Sequence, residues 1–163
     1  MESNTDMLSF IKTDSTQTDF QQLVKLLDED LIIRDGDEHA FYAQFNKINS
    51  IRNVIVCYSA EVPVGCGAFK PFDDTSVEIK RMFVEPAYRG KGIGQEILNQ
   101  LEKWAAASNY SASVLETGIK QPEAIRLYAK AGYKIIPSYG QYLNIENSVC
   151  MKKTLPETTV KLL

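Results

Sequence analysis

Val77-Glu78-Ile79-Lys80-Arg81-Met82-Phe83-Val84-Glu85-Pro86-Ala87-Tyr88-Arg89-Gly90-Lys91-Gly92-Ile93-Gly94 is the stretch on which the fold turns. Its first half is rich in β-branched and aromatic residues and reads as a strand. Pro86 ends that strand, having no N–H to give a ladder. After Gly94 the period changes. Ile93, Ile97, Leu98, Leu101, Trp104 and Ala105 fall on one helical face, with Gln95, Glu96, Asn99, Gln100, Glu102 and Lys103 opposite. A strand therefore feeds a helix through a turn that holds Gly90, Gly92, Gly94, Arg89 and Lys91. Glycines let a ligand approach the backbone closely. The first N–H groups of a helix are unpaired and sit at its positive end, where a phosphate is stabilised. The turn is an anion cradle suited to a pyrophosphate.

Spacing narrows the choice. The P-loop string Gly-x-x-x-x-Gly-Lys-Ser/Thr is absent. The dinucleotide fingerprint Gly-x-Gly-x-x-Gly is missed as well, because the three glycines fall at every second position. Arg89-Gly90-Lys91-Gly92-Ile93-Gly94 does fit Arg/Gln-x-x-Gly-x-Gly/Ala, and so resembles the coenzyme A pyrophosphate loop of the GNAT superfamily of N-acetyltransferases. Ala124-Ile125-Arg126-Leu127-Tyr128-Ala129-Lys130-Ala131-Gly132-Tyr133 is similar to a second block of that superfamily, Asn-x-x-Ala-x-x-Leu-Tyr-x-x-x-Gly-Phe/Tyr. The resemblance implies an acetyl-CoA-dependent N-acetyltransferase that passes an acetyl group to a primary amine by direct attack on the thioester.

The chain of 163 residues suits one domain over 1–163, with residues 156–163 as a flexible tail. Hydrophobic residues at 44% and charged residues at 24% are ordinary globular values. With 18 Lys and Arg against 21 Asp and Glu, the net charge of −3 supplies no field to attract nucleic acid or an anionic membrane. No stretch approaches the length of a membrane span. Cys57, Cys66 and Cys150 are scattered and read as reduced thiols of a cytoplasmic protein. His39 is the only histidine, so no metal site is expected. The first residues, Met1–Asp6, have neither basic flank nor apolar core, so no secretory leader is expected. A second copy of the chain is a candidate partner.

In chain order, Leu8–Lys12 reads as a strand, and Phe20, Leu23, Val24 and Leu27 space out a helix. The acidic stretch Asp28–Glu38 reads as a solvated connector, with a second helix placing Phe41, Tyr42, Phe45 and Ile48 on one side. In the resembling family this region borders the acceptor site, where an acidic rim favours a cationic amine. Val54–Ser59, Val62–Lys70 and Val77–Val84 form a meander on short turns. Ala112–Thr117 follows a helical crossover and is expected parallel to the strand before it. Pro122 opens a helix that Gly132 stops. Tyr133–Ile136 and Ser148–Lys153 complete the set. The class is α+β: a mixed, mostly antiparallel sheet of six to seven strands with helices on both faces.

Acetyl transfer to an amine needs a base more than an acid. A lysine-like amine with a pKa of about 10.4 is mostly protonated at neutral pH, and holding it neutral is worth about 4–5 kcal/mol. The leaving thiol, with a pKa of about 8.5, departs more easily. Glu78 lies inside an apolar strand, and its distance from Arg89 resembles that of the base in the family's histone-acetylating members. The other reading is a solvated strand face. Alternation puts Lys80 beside Glu78, and an adjacent cation weakens a base, unless a bulge changes the faces. Glu116 is the second candidate. Tyr128 matches the family tyrosine that protonates the leaving sulfur, or else packs in the core; Tyr133 reads as core. The resemblance also assigns Met82, Phe83 and Val84 to the thioester arm through their backbone. Gln121 stands where the family has asparagine. The loop Pro137–Tyr142, with two tyrosines, walls the acceptor pocket. A protein lysine or N-terminus as acceptor, a non-catalytic acyl-CoA-binding module and a nucleotide-binding protein remain as alternatives.

Overall fold

A computed structural model describes residues 7–35, 50–143 and 145–157. The strands are β1 (Leu8–Thr13), β2 (Asn53–Ser59), β3 (Val62–Pro71), β4 (Ser76–Val84), β5 (Ala112–Gly118), β6 (Lys134–Ile136) and β7 (Ser148–Thr154). The helices are α1 (Thr18–Asp35), α2 (Ile93–Ala107) and α3 (Pro122–Lys130). The seven strands lie in the order β1-β2-β3-β4-β5-β7-β6. β1 with β2, β2 with β3, β5 with β7 and β6 with β7 are antiparallel. β4 and β5 are parallel, with Ser76, Val77 and Glu78 opposite Ala112, Ser113 and Val114, as the crossover through α2 demands. No helix among the described residues is long and apolar enough to cross a membrane.

The chain divides into two compact units, Met1–Lys70 with Lys80–Leu101, and Pro71–Ile79 with Glu102–Leu163. In the first, the period of β3 decides the layering. Cys66 and Ala68 join Phe20, Leu23 and Val24 of α1 in one apolar cluster. Gly65 and Gly67 alternate with them and so point to the opposite face. A Cβ built on Gly67 would stand 2.5 Å from Met82 Sδ and 2.8 Å from Ile97 Cγ2, and one on Gly65 would stand 3.2 Å from Ile93 Cγ2 and Ile97 Cδ1. The two glycines thus let α2 seat directly on the strand, and α1 and α2 cover opposite faces of β3.

The acidic stretch departs from the sequence expectation. Asp28–Asp35 belongs to α1 rather than to a connector. Leu31 extends the buried stripe of Phe20, Leu23, Val24 and Leu27 by another turn, so packing carries the helix through the acidic residues. Asp28 also meets Arg81 Nη1 at 2.9 Å. The rest of that stretch, the second predicted helix around Phe41 and Phe45, and most of the predicted tail lie outside the described residues.

In the second unit Glu102 is the other departure. It was expected on the polar face of α2, yet it is 7% exposed. Lys153 of β7 donates to its Oε1 at 2.8 Å, which offsets the cost of burying the charge. Tyr133 is buried and donates to Ser113 Oγ at 2.8 Å.

The close seat of α2 gives a direct test. Gly67→Ala should lower the unfolding free energy by about 1–3 kcal/mol, the usual cost of overpacking. Urea denaturation measures it, and a variant as stable as the parent would mean that the helix does not depend on this glycine.

Candidate active site

The cradle is built by the end of β4 and the start of α2. Glu85 N–H donates to Val64 O at 2.8 Å and Tyr88 N–H to Glu85 O at 2.8 Å, so the chain turns immediately after the strand. Pro86 opens a single turn of 3-10 helix, Pro86–Tyr88. Gly90 and Gly92 then take φ of +80° and +82°, a region closed to most L residues. A Cβ on either would meet nothing within 4 Å, so both positions face open space. Glu96 N–H donates to Gly92 O at 3.0 Å, which starts the helix. The N–H groups of the preceding first turn, at Ile93, Gly94 and Gln95, have no acceptor within the helix. Ile93 itself is buried against Gly65, so only its backbone is available to a ligand.

The two cations are tethered. Arg89 Nε donates to Val84 O at 2.8 Å, and its guanidinium lies 5.7 Å from the Phe83 ring centroid. Lys91 Nζ stands 5.3 Å from the Tyr88 ring centroid. Along β4, Phe83 is buried in the α1 cluster and Met82 points to the glycine face. Between these residues and Glu78 lies Arg81, at φ +61°. That interruption follows Lys80, so alternation still leaves Glu78 and Lys80 on one side of the strand. What it changes is the relation of both to Met82–Val84.

Glu78, Tyr128 and Gln121 belong to the second compact unit, with Glu116. Glu78 is only 4% exposed, and Tyr139 O–H donates to its Oε2 at 3.0 Å. Burial and then the Glu78 carboxylate push the Tyr139 phenol far above the ordinary tyrosine range. Burial raises Tyr142 too, with Glu116 and Glu78 as its charged neighbours. Glu116 pairs across the ladder with Cys150, whose thiol is raised by burial and, more weakly, by both glutamates. Tyr128 is buried and packs edge-on against Tyr133 with centroids 5.9 Å apart. Burial and then Glu116 lift its phenol, so it stays protonated. Gln121 occupies the cap of α3 without a side-chain cap bond.

Two features escaped the sequence reading. The Tyr139–Glu78 hydrogen bond joins residues 61 positions apart, a separation at which local pattern is silent. Tyr142 is not an exposed loop aromatic: it lies in a 3-10 turn, Gly140–Tyr142, and is 1% exposed. The Gly140 in that loop was the one local hint of a tight turn.

The sequence profile of the acetyltransferase (GNAT) family matches residues 20–133. The chain belongs to that family. The IAA acetyltransferase of Azospirillum brasilense is 41% identical over 93 residues, which are 56% of this chain and 61% of that protein. The chain thus spans about three fifths of that relative's length, and only 24% of an N-acetylaspartate synthetase from Homo sapiens. Among solved structures, a Klebsiella pneumoniae protein assigned as an acyl-CoA N-acyltransferase superposes with a TM-score of 0.77 at 26% identity, covering 92% of this chain and 99% of that one. The phosphinothricin acetyltransferase of Sinorhizobium meliloti, solved with acetyl-CoA, shares the GNAT fold: TM-score 0.65, 18% identity, 94% of this chain and 91% of that one.

The glycine geometry predicts how the cradle fails. Gly92→Val forces a β-branched residue to φ near +80° and fills the open side. Its acetyl-CoA affinity in calorimetric titration should fall by at least about 10-fold, the equivalent of about 1.4 kcal/mol. Arg89→Ala should weaken binding less, because the backbone donors stay. Unchanged affinity in Gly92→Val would remove the loop from the binding site.

Proposed function

We propose that the protein is an acetyl-CoA-dependent N-acetyltransferase whose acceptor is a primary amine on a small molecule. The observation that carries this reading is the cradle, where two left-handed glycines face open space at the first turn of an amphipathic helix. Family membership supports it, as does the acetyltransferase named among its relatives. Arg89, Gly90, Lys91, Gly92, Ile93 and Gly94 hold the pyrophosphate, and Met82, Phe83 and Val84 offer backbone groups to the pantetheine arm. Gln121 is assigned to the same arm.

In the transfer, Glu78 takes a proton from the ammonium group, and the neutral nitrogen attacks the thioester carbonyl. The C–N bond forms, the C–S bond breaks, and the second nitrogen proton is lost as the amide forms. Tyr128, kept protonated by burial and Glu116, donates its hydroxyl proton toward the departing sulfur. Its raised phenol makes it a weak acid, so its contribution is smaller than that of the base. The balance is one amide, one free thiol and one released proton. A screen of amines with acetyl-CoA, reading out free thiol, tests the activity; no turnover with any amine would favour a non-catalytic acyl-CoA-binding protein.

Two measurements separate the roles. Tyr128→Phe should keep acetyl-CoA affinity and lose about 10-fold to 10⁴-fold in turnover, the range of a general acid; normal turnover would leave Tyr128 as packing. Glu78→Gln should be slow at neutral pH and recover toward pH of about 9–10, where more of the amine is neutral in solution. Glu116→Gln should instead raise the acceptor KM. The opposite pattern in a pH-resolved kinetic comparison would transfer the role of base to Glu116.

A further inference from the structure

The side chains around Glu78 do more than enclose it. A buried carboxylate must be hydrogen-bonded, and Tyr139 O–H supplies a bond to Oε2 at 3.0 Å. Tyr139 is itself held from two sides. Its ring meets Phe72 edge-on with centroids 4.8 Å apart and Tyr142 with centroids 5.8 Å apart. Tyr142 N–H donates to Tyr139 O at 2.9 Å, and Leu143 N–H donates to Gly140 O at 3.2 Å. A rigid turn thus sets the ring, the ring aims the hydroxyl, and the hydroxyl fixes one carboxylate oxygen.

We propose that Tyr139 is a positioning residue of the acetyl transfer, holding Oε2 of Glu78 so that Oε1 is the atom that receives the amine proton. The assignment rests on Glu78 as the base. Because the phenol is pushed far up by burial and by Glu78, it remains a donor at every working pH and cannot compete for the proton. The other groups facing this cluster are Tyr142 from the 3-10 turn, Cys150 from β7 and Glu116 from β5, and Lys80 stands two residues on in β4. Glu116 is the only negative charge among them and opposes Tyr139.

The test uses the whole chain, with an amine acceptor and acetyl-CoA, and compares the parent with Tyr139→Phe, Glu78→Gln and the double variant across pH. Phenylalanine keeps both ring contacts but leaves the buried carboxylate without this donor, so thermal melting should fall modestly while the chain still folds. Losing the hydrogen bond that orients the carboxylate should lower kcat by about 10-fold. The acetyl-CoA KM should not change. The double variant should be no slower than Glu78→Gln alone, because the hydroxyl acts only through the carboxylate. An unchanged kcat, or losses that add in full, would overturn the positioning role while leaving Glu78 as base. Parental turnover in Glu78→Gln would overturn both assignments together.

Discussion

A buried arginine in a backbone conformation that arginine rarely adopts is the constraint on which this architecture depends. Arg81 sits inside β4 at φ +61°, a conformation worth about 1–2 kcal/mol of strain for a residue with a Cβ. Its side chain is 6% exposed and paired to Asp28 at 2.9 Å, and its Nε is buried without a partner among the described residues. The strain is held by what surrounds it. The carbonyl of Arg81 accepts from Cys66 Sγ at 3.4 Å, and burial lifts that thiol to about 12, so it stays a neutral donor. α1 has to continue past Leu27 for Asp28 to be in place. Removing Asp28 would strand a buried charge, which is costlier than either group's contribution to a surface pair.

This break also sorts the residues of β4. Up to Lys80 the strand is buried without interruption and carries the carboxylate. Beyond Arg81 the side chains separate, with Phe83 in the α1 cluster and Met82 beside Gly67. The strand then ends at Val84, whose carbonyl is held by Arg89. Charge follows the same division. Arg89, Lys91 and a helix N-terminus gather at the end of the strand. Glu78 and Glu116 gather with tyrosines in the other unit.

The buried polar groups of the second unit have two purposes. Lys153 ties β7 to Glu102 of α2 at 2.8 Å, and Tyr133, just before β6, reaches Ser113 of β5 at 2.8 Å. Glu78 is buried and Tyr139 half-buried, and both belong to the chemistry in the reading advanced above. Both kinds of pair satisfy the same demand, that a polar group removed from water must find a partner. Burial alone therefore does not separate structure from catalysis, and neither does a raised phenol, because burial and Glu102 raise Tyr133 just as burial and Glu78 raise Tyr139.

Local rules were enough for the sequence to determine the elements. The β-branched and aromatic run in Val77–Val84, period 3.6 from Ile93, and the proline and glycine punctuation at Pro86, Pro122 and Gly132 each act over a few residues. The strands and helices consequently fall where those signals lie. The glycine turn between β4 and α2 was legible for the same reason: its glycines, cations and helix start are contiguous. Tertiary structure alone decided the placement of β7 between β5 and β6, the continuation of α1 through its acidic turn, the burial of Glu102 by Lys153, and the grip of Tyr139 on Glu78. Each joins residues tens of positions apart, where the outcome depends on which surfaces are left to cover and which charges are left to pair. No local pattern carries that information, since the same glutamate is a solvated side chain on one strand and a buried, oriented carboxylate on another.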